Sequence, residues 1–103
     1  MFPRGGGMTR PTRCADEDVA AWLAANPSWS RDGDALVREV SFPTYAAAIS
    51  FVVALAFEAE RRDHHPDLVI AWRRVTVRWT THDAGGISPL DLALAETTSA
   101  LVR

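Results

Sequence analysis

The sequence predicts one α+β domain: a four-stranded antiparallel sheet with its helices packed on one face, in the order αββαββα. Three observations predict it. Asp32-Gly33 separates two short β-rich segments, which is a hairpin signal. Residues 75–81 alternate apolar and polar, as a strand buried on one face does. Stretches with helix caps and helical spacing lie before, between and after the two strand pairs. Strand pairs of this kind with helices segregated to one side make an α+β fold.

The first helix opens at Asp16-Glu17-Asp18, three carboxylates that complement the positive end of a helix dipole. Val19, Trp22 and Leu23 give it an apolar side, and Asn26-Pro27 ends it. Trp29–Arg31 and Ala35–Ser41 are the arms of the first hairpin. In the second arm Leu36, Arg38 and Val40 share one side, and Ala35, Val37, Glu39 and Ser41 the other.

Pro43-Thr44 begins a long helix running to about Arg62, with Thr44 as N-cap. Its first apolar stripe, drawn through Tyr45, Ala48, Ile49, Val52, Leu55, Ala56 and Ala59, is expected to face its own sheet. A second, through Ala46, Val53, Ala54 and Phe57, has no cover within one small domain. Asp63-His64-His65-Pro66 breaks the helix. Leu68–Trp72 and Val75–Thr81 form the second hairpin, whose connection lacks Gly or Asn, so its turn type is open. Ser88-Pro89-Leu90-Asp91 starts the last helix with a Ser N-cap, Pro at N1 and an acid at N3.

A chain of 103 residues is one domain, and 48% hydrophobic with 23% charged residues is a globular balance. Residues 1–15, rich in Gly, Pro and Arg, read as a disordered tail before a domain at 16–103, and translation could start at Met1 or Met8. A net charge of −2 argues against a nucleic-acid partner. One cysteine, Cys14, excludes an internal disulfide framework. No apolar run reaches membrane-spanning length and the N-terminus has no signal-peptide core, so a cytoplasmic protein without membrane association is expected.

The three histidines fall in two segments, His64-His65 after the long helix and His82 after the last strand. Carboxylates accompany both: Glu60 and Asp63 with the first, Asp83 and Asp91 with the second. If the helix end and the strand end meet, imidazoles and carboxylates converge, which suits general acid–base chemistry near neutrality. Taken singly, each residue has a plainer reading. A loop histidine is usually solvated, Asp91 is accounted for by the helix start, and Trp29, Trp72 and Trp79 read as core. The histidine spacing matches no zinc signature, so no metal is expected.

The run Glu60-x3-His64-His65-Pro66-x5-Trp72-x9-His82-x8-Asp91 resembles the signature of the pterin-4a-carbinolamine dehydratases. Phe42-Pro43-Thr44-Tyr45-x2-Ala48-x2-Phe51 is similar to that family's helix opening, and Trp29 stands where the family has a Trp before its first strand. The departures are Trp72 where Tyr is frequent and Ser88 for a common Thr. The resemblance covers roughly residues 16–103. It implies the αββαββα fold and the dehydration of 4a-hydroxytetrahydropterin to quinonoid dihydropterin, without metal or cofactor. It implies His64, His65 and His82 as the catalytic trio, with Glu60 and Asp91 orienting or tuning them. It implies a pterin site lined by His64, His65, Pro66, Thr80, Thr81, His82 and Asp83. A non-catalytic dimerisation, assembly or transcriptional-cofactor protein on the same scaffold is the competing reading. A molybdopterin- or folate-related pterin is another possible substrate.

The uncovered stripe of the long helix predicts a homo-oligomer, dimer or tetramer, formed through helix 44–62 with Phe57 near a symmetry axis. The resemblance points the same way.

Overall fold

The computed structural model describes residues 12–102. The elements are α1 (Asp16–Ala25), β1 (Ser30–Asp32), β2 (Ala35–Ser41), α2 (Tyr45–Arg62), β3 (Asp67–Ala71), β4 (Arg74–Trp79), a 3-10 turn at His82–Ala84, and α3 (Pro89–Leu101). The strands form one antiparallel sheet in the order β1-β2-β4-β3. This is the α+β order that the sequence predicts.

Alternation fixes which face of the sheet carries the core. The cross-strand pairs Leu36↔Trp79, Arg38↔Val77 and Val40↔Val75 all point to the helices. Leu36, Val75, Val77 and Trp79 are fully buried there with Leu55 of α2, Ile87, and Leu94 of α3. Fully burying one such side chain stabilises the fold by about 1.5–3 kcal/mol. Arg38 joins this face because its stem covers apolar surface while its Nη1 donates to Ser99 Oγ at 2.8 Å.

α1 anchors the far side of the core. Its three acids sit in the first turn, and Val19 is buried. Trp22 donates to Glu96 Oε2 and Trp29 to Ser99 Oγ, so both indole N–H groups are satisfied on α3. The expected tail at 1–15, and the choice between Met1 and Met8, fall outside the described residues as far as residue 11. Residues 12–15 have no regular structure, but the Cys14 N–H donates to the Ile87 carbonyl at 2.7 Å.

The two hairpin turns differ. Gly33 takes φ +58°, where glycine carries no Cβ penalty. In the second turn Trp72 takes φ +59° and lies 72% exposed, with the Arg73 guanidinium 5.2 Å from its ring centre. The expectation that Trp72 belongs to the core is therefore corrected. Strand alternation stops at Ala71, and a residue in a two-residue loop projects beyond the sheet.

α2 begins as expected, with Thr44 Oγ1 accepting from the Ala47 N–H at 3.0 Å. Its buried residues are Ala48, Phe51, Leu55 and Ala59, whereas Tyr45 and Ala56 are exposed and Ile49 and Val52 half-buried. Ala48, Leu55 and Ala59 thus lie on the expected stripe, but the core-facing side is turned toward Phe51 and away from Tyr45 and Ala56. Phe51 decides the register: its ring packs on Phe42 at 5.1 Å, and the phenol of Tyr45 stays in water. The opposite face is exposed, with Phe57 69% and Val53 49% accessible.

Candidate active site

α2 ends in a way that aims its next residue back at the sheet. Asp63 adopts the left-handed conformation at φ 48°, its N–H bonding to the Ala59 and Glu60 carbonyls. The His64 N–H closes onto the Ala59 carbonyl at 3.1 Å. Those bonds satisfy the last carbonyls of the helix and turn the chain sharply. The His64 imidazole then lies over the buried indole of Trp79 on β4, ring centres 5.7 Å apart and planes 12° from parallel.

The second segment arrives from β4. Thr81 follows the strand and forms an isolated bridge with Gly86. The turn between them carries His82 and Asp83 at its start and closes through Gly85 at φ +73°. Ser88 and Asp91 then begin α3, the Ser88 N–H donating to Asp91 Oδ2 at 2.9 Å.

Asp91 does more than start its helix. It is fully buried, and its two oxygens divide the work. Oδ2 accepts from the Ser88 N–H and from Thr81 Oγ1 at 2.6 Å, while Oδ1 lies 2.7 Å from His64 Nε2. Thr81 Oγ1 is also 2.8 Å from Ser88 Oγ. Burying a carboxylate is costly unless it is hydrogen-bonded, and this one has a partner on each oxygen. Asp91 thus serves the helix start with one oxygen and meets His64 with the other.

His65 makes a parallel but looser contact. Its Nε2 lies 2.7 Å from Glu60 Oε1, with both side chains mostly in solvent. His82 is exposed.

A cleft of about 350 Å³ is lined by Asp63, His64, His65, Thr80, Thr81, His82 and Asp83. The two histidine segments therefore meet at one end of the sheet. Of the residues expected at the pterin site, Pro66 is half-buried and does not line this cleft. Glu60 reaches its edge only through His65, and Asp91 stands behind His64. Thr80 lines the cleft but turns its hydroxyl onto the Asp34 carbonyl at 2.6 Å. A larger depression of about 640 Å³ lies at the opposite end, lined by Ser41, Phe42 and residues 71–74. It offers no imidazole or carboxylate, so the chemistry favours the smaller cleft. Among the described residues, no group of three or more His, Cys, Asp or Glu side chains is arranged to hold a metal ion.

Two residues of the site were not legible as such in the sequence. Trp79 read as core and Ser88 as a cap, whereas Asp63 was already among the acids expected beside the histidines. The one available signal was the phase of β4, whose alternation puts Trp79 on the helix side two residues before Thr81.

Burial pushes the Cys14 thiol above its ordinary pKa, and the carboxylates of Asp18 and Asp91 push it further. The shift favours the thiol form of Cys14, a poor nucleophile.

The family model for pterin 4 alpha carbinolamine dehydratase matches residues 12–101. The chain is 46% identical over 84 residues to a proposed pterin-4-alpha-carbinolamine dehydratase of Natronomonas pharaonis, covering 82% of this chain and 89% of that one. It is 49% identical over 82 residues to one of Mycobacteroides abscessus, covering 80% and 87%. Among solved structures, a transcriptional coactivator/pterin dehydratase from Brucella melitensis aligns with a TM-score of 0.86 at 29% identity, covering 89% of this chain and all of that one. A pterin dehydratase-like protein identified as a RuBisCO assembly factor in the alpha-carboxysome shares the fold, with a TM-score of 0.60 at 22% identity over 71% of this chain and 84% of that one.

Proposed function

The chain belongs to the pterin 4 alpha carbinolamine dehydratase family, and on that premise we propose that it removes water from a 4a-hydroxytetrahydropterin by histidine acid–base catalysis. The substrate class is the carbinolamine left after aromatic amino-acid hydroxylation, and the product is the quinonoid dihydropterin. The observation that carries this reading is the meeting of His64, His65 and His82 in one cleft, with the buried Asp91 behind His64.

The chemistry needs little else. Hydroxide is a poor leaving group, so a proton must reach the 4a-oxygen as the C4a–O bond breaks. The N5 electrons form the C4a=N5 bond, and the proton on N5 passes to a base. The sum is one water lost with no change of oxidation state, so no redox cofactor is called for. One protonated imidazole supplies the first proton and one neutral imidazole takes the second. Asp91 orients His64 and balances its charge. Glu60 does the same for His65 at the exposed edge, and Asp83 and Thr80 help to line the pterin pocket. In this reading the protein works as a homo-oligomer assembled through α2. The support is the apolar outer face of that helix, where Phe57, Val53 and Tyr45 are exposed.

Purified protein mixed with freshly generated 4a-hydroxytetrahydropterin should accelerate dehydration in proportion to its concentration, with or without a chelator. No acceleration sinks the enzymatic reading, and loss of activity on chelation sinks the metal-free one. The exposed Phe57 face also favours a second reading, a non-catalytic assembly or coactivator protein. That reading gains if dehydration is unaffected while a heterologous partner is retained through this face.

A further inference from the structure

We infer that Nδ1 of His64 is the nitrogen that exchanges a proton with the bound pterin, and that Thr81 and Ser88 are the positioning residues that impose this. The catalytic half of the inference rests on the dehydratase reading; the tautomer does not.

The inference follows from counting protons. Thr81 Oγ1 has one hydrogen, and it is donated to Asp91 Oδ2 at 2.6 Å. The contact of 2.8 Å between Thr81 Oγ1 and Ser88 Oγ must then be made with the Ser88 hydrogen. The Ser88 N–H is also on Oδ2, at 2.9 Å. The hydroxyl chain therefore runs one way, from Ser88 through Thr81 into the carboxylate. Taken as the carboxylate, the form that two donors on one oxygen suit, Asp91 accepts on Oδ1 as well, so Nε2 carries the hydrogen across the 2.7 Å contact. Thr81 Oγ1 lies 3.5 Å from the same nitrogen and has no hydrogen left for it.

A neutral imidazole has one N–H, so Nδ1 holds the free lone pair. If the ring is protonated, the second proton sits on Nδ1 while Nε2–H stays with Asp91. In either state the mobile proton moves between Nδ1 and the substrate, and the charge it creates is balanced by Asp91. The 2.7 Å contact with Asp91 holds Nε2 inward. The side chain is only 14% exposed, and its plane rests on Trp79. That indole is itself tied to Thr98 Oγ1 at 3.0 Å, and the Thr98 hydroxyl to the Leu94 carbonyl at 2.7 Å. His65 has no such frame, since its Glu60 contact is exposed and a surface pair of this kind holds geometry weakly.

The side chain of Thr81, expected from the resemblance to bind substrate, is thus given a different task. It is 6% exposed and turned toward Asp91.

Long-range proton–nitrogen NMR of the 15N-labelled protein tests the tautomer, with His64 assigned by its loss in His64→Gln. In the neutral ring, Nε2 should appear protonated and Nδ1 bare. A protonated Nδ1 overturns the inference, whether or not the protein is a dehydratase. In turnover, Thr81→Val should lower kcat by about tenfold with KM nearly unchanged, as misorientation of a catalytic group does, and Thr81→Ser should restore most of it. A Thr81→Val variant that raises KM and keeps kcat makes Thr81 a substrate contact and overturns its positioning role. If Thr81→Val does not fold, the spectrum of the unaltered protein still decides.

Discussion

The His64 imidazole is stacked on the Trp79 indole, 5.7 Å between ring centres and 12° from parallel, so a residue at a helix end is seated on the buried face of the sheet. Trp79 has no exposed surface, and its N–H is held by Thr98. The indole face favours a cation above it, so the stack should help most when His64 is protonated.

Replacing Trp79 by Phe and by Leu separates stacking from bulk. An aromatic pair is worth about 0.5–1.5 kcal/mol beyond its area, roughly two- to tenfold in rate. Trp79→Leu should lose that factor in kcat, while Trp79→Phe keeps most of it. Both should lower Tm, because each leaves space in a fully buried site. Equal kcat for the two variants would show that stacking contributes nothing.

Losing an imidazole should cost turnover more than fold. General acid–base groups typically contribute about 10²–10⁴-fold. His64→Gln is the informative change there, because His64→Ala would strand the buried Asp91 without its partner. His64→Gln and His82→Ala should each lose at least about tenfold in kcat/KM, with uncatalysed dehydration and the other histidines making up part of the loss. Circular dichroism should stay that of the parent. Two variants with parental turnover would remove these residues from the mechanism.

The outer face of α2 predicts assembly. Leaving Phe57 in water forgoes about 1.5–3 kcal/mol that burial would supply. Light scattering at micromolar concentration should therefore find a homo-oligomer. Phe57→Glu should dissociate it to a smaller species, with part of the dehydratase activity surviving. A monomeric parent protein would defeat this.

Cys14 predicts a pH effect on stability. Its folded pKa is raised, first by burial and then by Asp18 and Asp91. The folded state therefore holds this proton more tightly than the unfolded chain. The corresponding stability is complete below the ordinary thiol range, about pH 8.5, and is lost as pH climbs through the raised folded value. Urea titrations should show the parent losing stability relative to Cys14→Ala between neutral and strongly alkaline pH. A difference that does not change with pH would contradict the shift.

Much of the fold was legible because its signals are local. Asp32-Gly33 marks its own turn, Thr44 and Ser88 mark their own helices, and the alternation of Val75, Val77 and Trp79 marks a strand with one buried face. The second hairpin was harder, since Trp72 adopts a conformation that its residue type does not announce. The register of α2 was drawn only in part, for a related reason. The helix is apolar nearly all round, so several stripes fit its sequence, and only the packing of Phe51 against Phe42 chooses among them.

The site divides in the same way. By itself the sequence determined which groups are available: three imidazoles in two segments, the acids beside them, and a helix start at Ser88 that needs Asp91. Those follow from residue type and spacing along a chain. Only the tertiary structure decided that Asp91 spends one oxygen on its own helix and the other on His64, 27 positions away. It alone turned Thr81 inward, laid His64 on Trp79 and left His65 to the solvent. Such contacts depend on how α2, β4 and α3 pack together, and hydrogen bonds between elements far apart in the chain have no period or spacing by which a sequence could announce them.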